Sequence, residues 1–265
     1  MQITKAMELV ATAKLKRARV KLEASKPYFE TIMESIAKII AHSKGFKHPF
    51  VDGRDTKSTL FIVITGDRGL AGGYNSNICK LVEEKIQNKE KVKLIAIGSK
   101  GRDYFKRKNY DVVDSYVGVS ENPTIEVARL VGNQAVEMFL NHEIDEIYVA
   151  YTQFVSTISY EPKALRLLPV VIDESKVKSK MMFEYEPSPE VVLEHLVPQY
   201  INSVIYGASI EASASESGSR RVAMESATEN AKEMIGELQL VYNRARQASI
   251  TQEITEIVAG ADALN

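Results

Sequence analysis

The sequence predicts an α/β domain with a long helix at each end of the chain. In the middle, short apolar runs alternate with helical patterns, which is typical of a parallel sheet with helices on its faces. The two ends instead repeat apolar residues at steps of three and four, the spacing of one helix face. We therefore expect coiled-coil helices at residues 1–44 and 189–264, flanking an α/β domain at residues 58–172.

The N-terminal segment is predicted to be helical with one interruption. Its apolar stripe runs over residues 3–22 and resumes over residues 29–39, with Pro27 between the two parts. Because a proline removes a backbone hydrogen bond, the residues alone predict a kink or break near Lys26. The segment also carries a basic cluster, which is either a solvated face or a docking surface for an acidic partner. This cluster consists of Lys14, Lys16, Arg17, Arg19 and Lys21.

The middle of the chain alternates predicted strands and helices. Strands are predicted at residues 59–64, 92–97, about 112–117, 146–154 and within 155–171. Helices are predicted at about 70–88, 100–108 and 122–140. Pro123 stands near the first turn of the last of these helices, a position that proline tolerates. The alternation indicates a Rossmann-like domain with a mostly parallel sheet.

The C-terminal segment carries the apolar seam of a coiled coil. No proline follows Pro198, so one helix can run from about 189 to 264. At ~1.5 Å per residue it is about 110 Å long, which is too long for a compact domain of this size, and the helix must project. Its apolar stripe then needs partners. The stripe alternates steps of four and three at Met234, Leu238, Val241, Ala245 and Ala248.

Composition excludes several classes of function. The formal net charge is −1, so bulk charge indicates no polyanionic partner. The single cysteine, Cys79, excludes an internal disulfide. No apolar run has the length of a bilayer span, and the start of the chain lacks the apolar core of a secretory signal. The four histidines show no metal-ligand spacing. Residues 208–219 are rich in Ala and Ser, and they either let a neighbouring helix approach or merely fill the helix.

One turn has the position of a phosphate-binding loop. Gly66-Asp-Arg-Gly-Leu-Ala-Gly-Gly73 follows a strand and precedes a helix, where α/β folds hold phosphate on backbone amides. Its glycines do not match the dinucleotide or P-loop patterns. Ser99 and Lys100 could suit a 2′-phosphate, so an NADP-binding enzyme with a coiled-coil arm is the alternative function. We favour a tight turn with close strand–helix packing.

Three separated blocks resemble the gamma subunit of F-type ATP synthases. They are Ile3-Thr-Lys-Ala-Met-Glu-Leu-Val-Ala-Thr-Ala-Lys14, Thr65-Gly-Asp-Arg-Gly-Leu-Ala-Gly-Gly-Tyr-Asn75 and Asn243-Arg-Ala-Arg-Gln-Ala-Ser-Ile-Thr-Gln-Glu-Ile-Thr-Glu-Ile-Val258. The resemblance implies that the terminal helices form an antiparallel coiled coil, the first of them unbroken but bent. This shaft would stand inside the ring of alpha and beta subunits, which hold the nucleotides.

The resemblance also implies a place in the complex. The α/β domain would lie at the foot, beside the epsilon subunit and the membrane ring of c subunits. Proton flow would turn ring and shaft together, on the cytoplasmic face of the bacterial plasma membrane. The subunit would be non-catalytic and would need no cofactor. A coiled-coil adaptor that has borrowed the fold is a further competing class.

Several contact residues follow from the motif matches. By resemblance, Arg246 and Gln247 meet the catch loop of a beta subunit, and Thr251 lies one turn further along. Met7 and Arg221 match a pair near the acidic lever loop of beta. Glu186, within Phe183-Glu-Tyr-Glu-Pro187, matches the region that faces the c-ring loops.

The two terminal helices also predict a register. If they pair antiparallel and leave the domain at the same height, the numbers of paired residues add to about 230, because both helices rise equally per residue. Residue 1 then faces a position near Ala231, and the apolar stripe beyond has no partner in this chain. The family's first helix begins earlier, so we expect this sequence to be short at its N-terminus.

Overall fold

The computed structural model describes residues 2–42, 48–156, 159–170, 186 and 188–262. The helices are α1 (Gln2–His42), α2 (Tyr74–Lys85), α3 (Ser99–Arg107), α4 (Ile125–Leu140) and α5 (Pro189–Asp262), with a 3₁₀ turn at Lys89–Lys91. The strands are β1 (Thr59–Ile64), β2 (Val92–Ile97), β3 (Asp111–Tyr116), β4 (Glu146–Phe154) and β5 (Tyr160–Leu168). Residue 44, at the predicted end of the first helix, lies outside the described residues.

The strands form one sheet in the order β3-β2-β1-β4-β5. The first four are parallel, with Thr59 beside both Val92 and Glu146, and β5 runs antiparallel to β4. The mostly parallel sheet is therefore confirmed. The central strands are nearly continuous apolar runs because helices cover both of their faces.

Two cores lie on opposite faces of the sheet. On one face, α4 and the domain-side parts of α1 and α5 pack on the strands, with Ile36, Phe139 and Ile201 fully buried. On the other face, α2 and α3 enclose a smaller core around Ile78 and Phe105. Since α1 and α5 take part in the larger core, the coiled coil and the sheet share one apolar interior.

Beyond the sheet, α1 and α5 form the expected antiparallel pair. The hydroxyls of Thr4 and Thr228 are hydrogen-bonded at 2.7 Å, and Leu15 packs against Ala214. The numbers of both pairs add to about 230, so the predicted register is confirmed.

A kink or break was predicted near Lys26, and the break is wrong. Helix α1 continues through Pro27, as the family resemblance implied. The missing backbone hydrogen bond costs less than a break would, because the next turns hold Ile32, Ile36 and Ile39 in the core. Tertiary packing here outweighs the local preference of proline.

Two helices are shorter than predicted. Helix α2 begins at Tyr74 instead of near residue 70, because Leu70 and Gly72 have left-handed backbone angles that a helix cannot include. Helix α4 begins at Ile125, since Thr124 is extended at φ −121°. Edge strands were predicted within residues 155–171, and the described part of this range contains one strand, β5.

Candidate interaction surfaces

Helix α5 closely approaches the glycine-rich turn that follows β1. A Cβ atom at Gly66 would stand 2.7 Å from the Glu216 carboxylate, so only glycine fits there without a shift. The Ser219 hydroxyl donates to the Ala71 carbonyl at 2.7 Å. Gly66 thus lacks a side chain where α5 lies against the turn, which supports the packing interpretation.

The polar groups of this turn are engaged within the chain. The Gly66 amide donates to Asn75 Oδ1 at 2.8 Å, and the Asp67 amide donates to Ser120 Oγ at 3.0 Å. Ser99, proposed above as a phosphate ligand, donates its hydroxyl to the Asp67 carbonyl at 3.0 Å. Three donors that a dinucleotide site could use therefore already serve the fold.

Asp67 fastens the turn to the ends of neighbouring strands. Its carboxylate accepts from the amide of Ser99 at 2.9 Å and from that of Ser120 at 3.1 Å. Burial opposes ionisation, but the backbone amides of Gly118, Ser99 and Ser120 outweigh it and lower the pKa of Asp67. The stabilisation from this carboxylate is present above its unfolded pKa of ~3.9 and is lost as pH falls through the lower folded value.

Asp67→Asn is therefore expected to lower the free energy of unfolding at pH 7 by about 1 kcal/mol, allowing for solvent screening of a half-exposed group. The deficit should shrink below about pH 4, where the wild-type carboxylate also becomes neutral. Urea unfolding at a series of pH values measures both effects. Asp55→Asn, at an exposed position, serves as the control and should cause no deficit. A constant deficit from pH 7 to pH 3 would show that the charge is not the cause.

A buried ion pair lies between α5 and the turn. Glu216 and Arg220, four residues apart on α5, are joined at 2.5 Å, and their side chains are 2% and 9% exposed. Burial raises the pKa of Glu216, and Arg220 opposes this effect. Arg220 also donates to the Gly69 carbonyl at 3.4 Å. Sequence analysis missed this pair, although opposite charges at this spacing inside an Ala/Ser run were a usable signal.

A second connection joins α1 to the loop before α4. Lys14 forms an ion pair with Glu121 at 2.8 Å, and Lys21 donates to Asn122 Oδ1 at 2.8 Å. Part of the predicted basic cluster is therefore used inside the chain. Lys16 and Arg17 are exposed on α1, where the choice between solvated face and docking surface stays open.

The Ala/Ser-rich run 208–219 permits close approach. Ser213 donates to the Glu121 carbonyl at 3.2 Å, and Ser215 donates to the Thr152 carbonyl at 3.0 Å. Ala214 lies against α1. Nearly the whole run is buried, so its small side chains serve packing and are more than helix filler.

The last part of α5 extends away from everything else in the described chain. From residue 232 to residue 260 every side chain is exposed, and we call this stretch the projecting segment. It accounts for about 45 Å of helix. Its exposed apolar side chains would be costly in an isolated protein, which indicates that other chains cover them. They include Met234, Leu238, Val241, Ile250, Ile254 and Ile257, which are 47–72% exposed.

Arg246, Gln247 and Thr251 lie together on the projecting segment. The Thr251 hydroxyl donates to the Gln247 backbone carbonyl at 2.8 Å. Nearby side-chain bonds join Ser249 to Glu253 and Gln252 to Glu256, and Arg246 takes no part in them. The guanidinium of Arg246 and the side-chain amide of Gln247 are both exposed to solvent.

The other predicted contact residues lie elsewhere. Arg221 is about 37 Å along the axis from Arg246 and pairs with Glu225 at 3.4 Å. Met7 is half-buried on α1, within about one turn of Arg221 by the register. Glu186 is exposed at a bend before α5, and the rest of its run lies outside the described residues. The structure therefore separates the candidates into three levels along the molecule.

The described residues include neither a membrane-spanning helix nor a metal site. None of their helices is long and apolar enough to cross a bilayer. In the same part of the chain, His, Cys, Asp and Glu side chains form no group of three that could hold a metal ion.

Comparison with known proteins agrees with this architecture. A family profile described as ATP synthase matches residues 1–264. The ATP synthase gamma chain of Alkaliphilus metalliredigens is 50% identical over 99% of this chain and 93% of its own length. The gamma chain of Acetobacterium woodii, described as sodium ion specific, is 49% identical over 100% of this chain and 94% of its own.

A chain of similar fold occurs in a solved structure of an ATP synthase central stalk. The central stalk and c-ring structure of the Tetrahymena thermophila mitochondrial ATP synthase contains a chain with a TM-score of 0.67 and 28% identity. The match covers 85% of this chain and 99% of that one. Two long paired helices, a five-stranded α/β domain and near 50% identity over the whole length lead to one conclusion. The chain belongs to the gamma-chain family of ATP synthases.

Proposed function

We propose that this chain is the rotary shaft of an F-type ATP synthase and couples ion flow through a c-ring to ATP synthesis in an alpha–beta hexamer. The observation that carries the proposal is the projecting segment. Its apolar side chains are exposed, yet it continues without a break from the part of α5 that is fixed to the sheet. A rigid rod with one anchored end and one uncovered end is suited to transmitting rotation into a surrounding ring.

The proposed path of torque begins at the α/β domain. The c-ring and the epsilon subunit bind the α/β domain, and Glu186 lies on the side that faces the ring. The contacts of Glu216, Ser219 and Arg220 with the glycine turn pass the rotation to α5. Asymmetric contacts of the projecting segment then favour different nucleotide affinities in successive beta subunits. Such a shift requires contacts that differ between the states of beta.

In this scheme the chain's residues bind and orient partners and carry out no reaction step. Arg246, Gln247 and Thr251 bind one beta subunit. Met7 and Arg221 contact the acidic lever loop of beta, at a different height along the shaft. A guanidinium and an amide side by side provide several hydrogen-bond donors for carbonyl or carboxylate groups. Nucleotides bind to the alpha and beta subunits.

We place the subunit on the cytoplasmic face of a bacterial plasma membrane, held there through the c-ring. The bacterial relatives support this location. One relative, 49% identical to this chain, is described as sodium ion specific. Proton coupling is our expectation for this chain, and sodium dependence of ATP-driven pumping in the assembled complex tests it.

Co-assembly tests the proposal. The full chain is mixed with alpha, beta and epsilon subunits, and the complex is isolated by size and assayed for ATP hydrolysis. We expect the chain to travel with the hexamer and to be required for full activity. If the chain instead binds a nucleotide alone and ignores the subunits, the enzyme alternative is correct. Stable binding without any effect on hydrolysis would favour the adaptor.

Met7→Lys is expected to reduce coupling more than stability. The change places a new cation beside the coiled coil, near the proposed acidic loop of beta, where a charge pair can change the affinity by about tenfold or more. The ratio of ions pumped to ATP hydrolysed should fall, with little change in the unfolding midpoint of the isolated chain.

Val10→Lys is the matched control, because it adds the same charge on an exposed face of the same helix. It should leave the pumping ratio near the wild-type value. An unchanged ratio in Met7→Lys would remove Met7 from the proposed contact.

A further inference from the structure

A groove of about 560 Å³ opens between α1, α5 and the C-terminal end of β4. Leu22, Val204 and Ala208 form an apolar wall, and Gly207 contributes no side chain. Small-molecule sites typically have volumes of ~300–1,000 Å³, mostly apolar walls and a few polar groups. The groove has the size and the apolar surface of such a site.

One acidic group faces this groove. Glu211 of α5 lines it and is half-buried, beside Tyr151 and Phe154. Burial raises the pKa of Glu211, while the Tyr151 hydroxyl, the Phe154 amide and the charge of Lys163 on β5 favour its ionised form. Among the described residues Glu211 forms no ion pair, and the charge of Lys163 acts on its carboxylate from beyond ion-pair distance.

The remaining charges of the groove compensate each other. Arg19 and Glu23, both on α1 at the rim, are paired at 3.4 Å and are 49% and 70% exposed. Because the two opposite charges are close together, their combined field is small at the distance of Glu211. Among the described side chains that line the groove, Glu211 is therefore the one charged group without an ion-pair partner.

Aromatic side chains stand next to this carboxylate. Tyr151 and Phe154 line the groove, and the Phe154 ring packs on Tyr160 with centroids 5.9 Å apart. Aromatic faces attract cations through the ring quadrupole. A half-buried carboxylate with aromatic neighbours in an apolar groove has the chemistry that recognises an organic ammonium group.

We propose that this groove binds a small organic cation, an amine with an apolar, ring-bearing body. The ammonium group pairs with Glu211 next to Tyr151 and Phe154, and the body lies on Leu22, Val204 and Ala208. A neutral molecule of the same shape gains only the apolar contact. The site uses none of the residues that we assign to contacts with the beta subunits or the c-ring.

Calorimetric titration of the full chain at pH 7.5 tests the proposal with two probes. 4-Phenylbutylamine is a cation at this pH, and 4-phenylbutanol is its neutral counterpart of similar shape. We expect the amine to bind about tenfold more tightly or better, the ratio typical of one favourable charge pair. Glu211→Gln should reduce amine affinity to that of the alcohol and leave alcohol affinity unchanged. Glu211→Asp, which keeps the charge, should retain most of the preference.

Glu23→Gln is the matched control, because it removes the same net charge from the rim of the groove. It should leave the preference for the amine within about twofold. The proposal is overturned by equal binding of the two probes, by absence of binding, or by a preference that survives Glu211→Gln. An equal loss of preference in Glu23→Gln also overturns it, since attraction to net charge then suffices. Unfolding midpoints of the variants show that each is folded under the conditions of titration.

Discussion

Arg220→Met is expected to lower the free energy of unfolding by about 3–5 kcal/mol, the largest loss for any single change considered, because it leaves a buried carboxylate without its partner. Glu216 is 2% exposed and lies against Gly66, so it can neither reach water nor move away from the turn. Urea unfolding of the full chain at pH 7 measures the loss.

The pH dependence of this loss identifies its cause. Burial already raises the pKa of Glu216, and removing the guanidinium raises it further. A carboxyl group with a raised folded pKa penalises the fold above that pKa and stops doing so below it. The deficit of Arg220→Met should therefore shrink as pH falls toward 5.

Two controls accompany Arg220→Met. Arg221→Met removes a neighbouring arginine whose partner, Glu225, is 48% exposed, and it should cost less than about 1 kcal/mol. Glu216→Leu combined with Arg220→Met removes both charges and should recover much of the loss. Equal losses in Arg220→Met and Arg221→Met would contradict the role given to the buried pair.

Arg246→Ala combined with Gln247→Ala is expected to reduce ATP synthesis by the assembled complex at least tenfold, because each removes donors of charge-assisted or amide hydrogen bonds to beta. Both side chains are exposed and lie outside the cores, so the isolated chain should unfold at the wild-type urea concentration. Ion-driven ATP synthesis in vesicles and urea unfolding give the two readouts.

The control for this double change uses the same residue types on the same segment. Gln239→Ala combined with Arg244→Ala also removes one amide and one guanidinium from exposed positions. It should reduce synthesis by less than about threefold if Arg246 and Gln247 form the specific contact. Normal synthesis by the first double variant, or equal losses in both, would count against that contact.

Much of the sheet was predictable from the sequence. The apolar runs at residues 59–64, 92–97 and 146–154 coincide with β1, β2 and β4 because strands buried on both faces have no competing pattern. The register of α1 with α5 followed from antiparallel pairing, a common exit height and equal rise per residue. The local sequence around Pro27 did not predict the continuity of α1, since that depends on core contacts, and only the family resemblance implied it.

The interaction surfaces were only partly predictable. The register predicted that the projecting segment would be exposed. The assignment of Arg246 and Gln247 as beta contacts came from the family resemblance, because the apolar periodicity does not single them out. The contact of Glu216 with Gly66 was missed because the two residues are far apart in the sequence. The glycine turn was recognised as a close approach, but its partner became visible only in three dimensions.

The central claim is that this chain rotates within an alpha–beta hexamer, and direct observation of rotation tests it. Lys106→Cys introduces an exposed thiol on α3, in the α/β domain away from the projecting segment. The native Cys79 should not react, because it is 1% exposed and burial raises the pKa of its thiol to about 12. A bead attached through the new thiol to surface-fixed complexes should turn continuously in one direction when ATP is added. ATP hydrolysis at the full rate while the bead only fluctuates, without net turning, would contradict the rotary role.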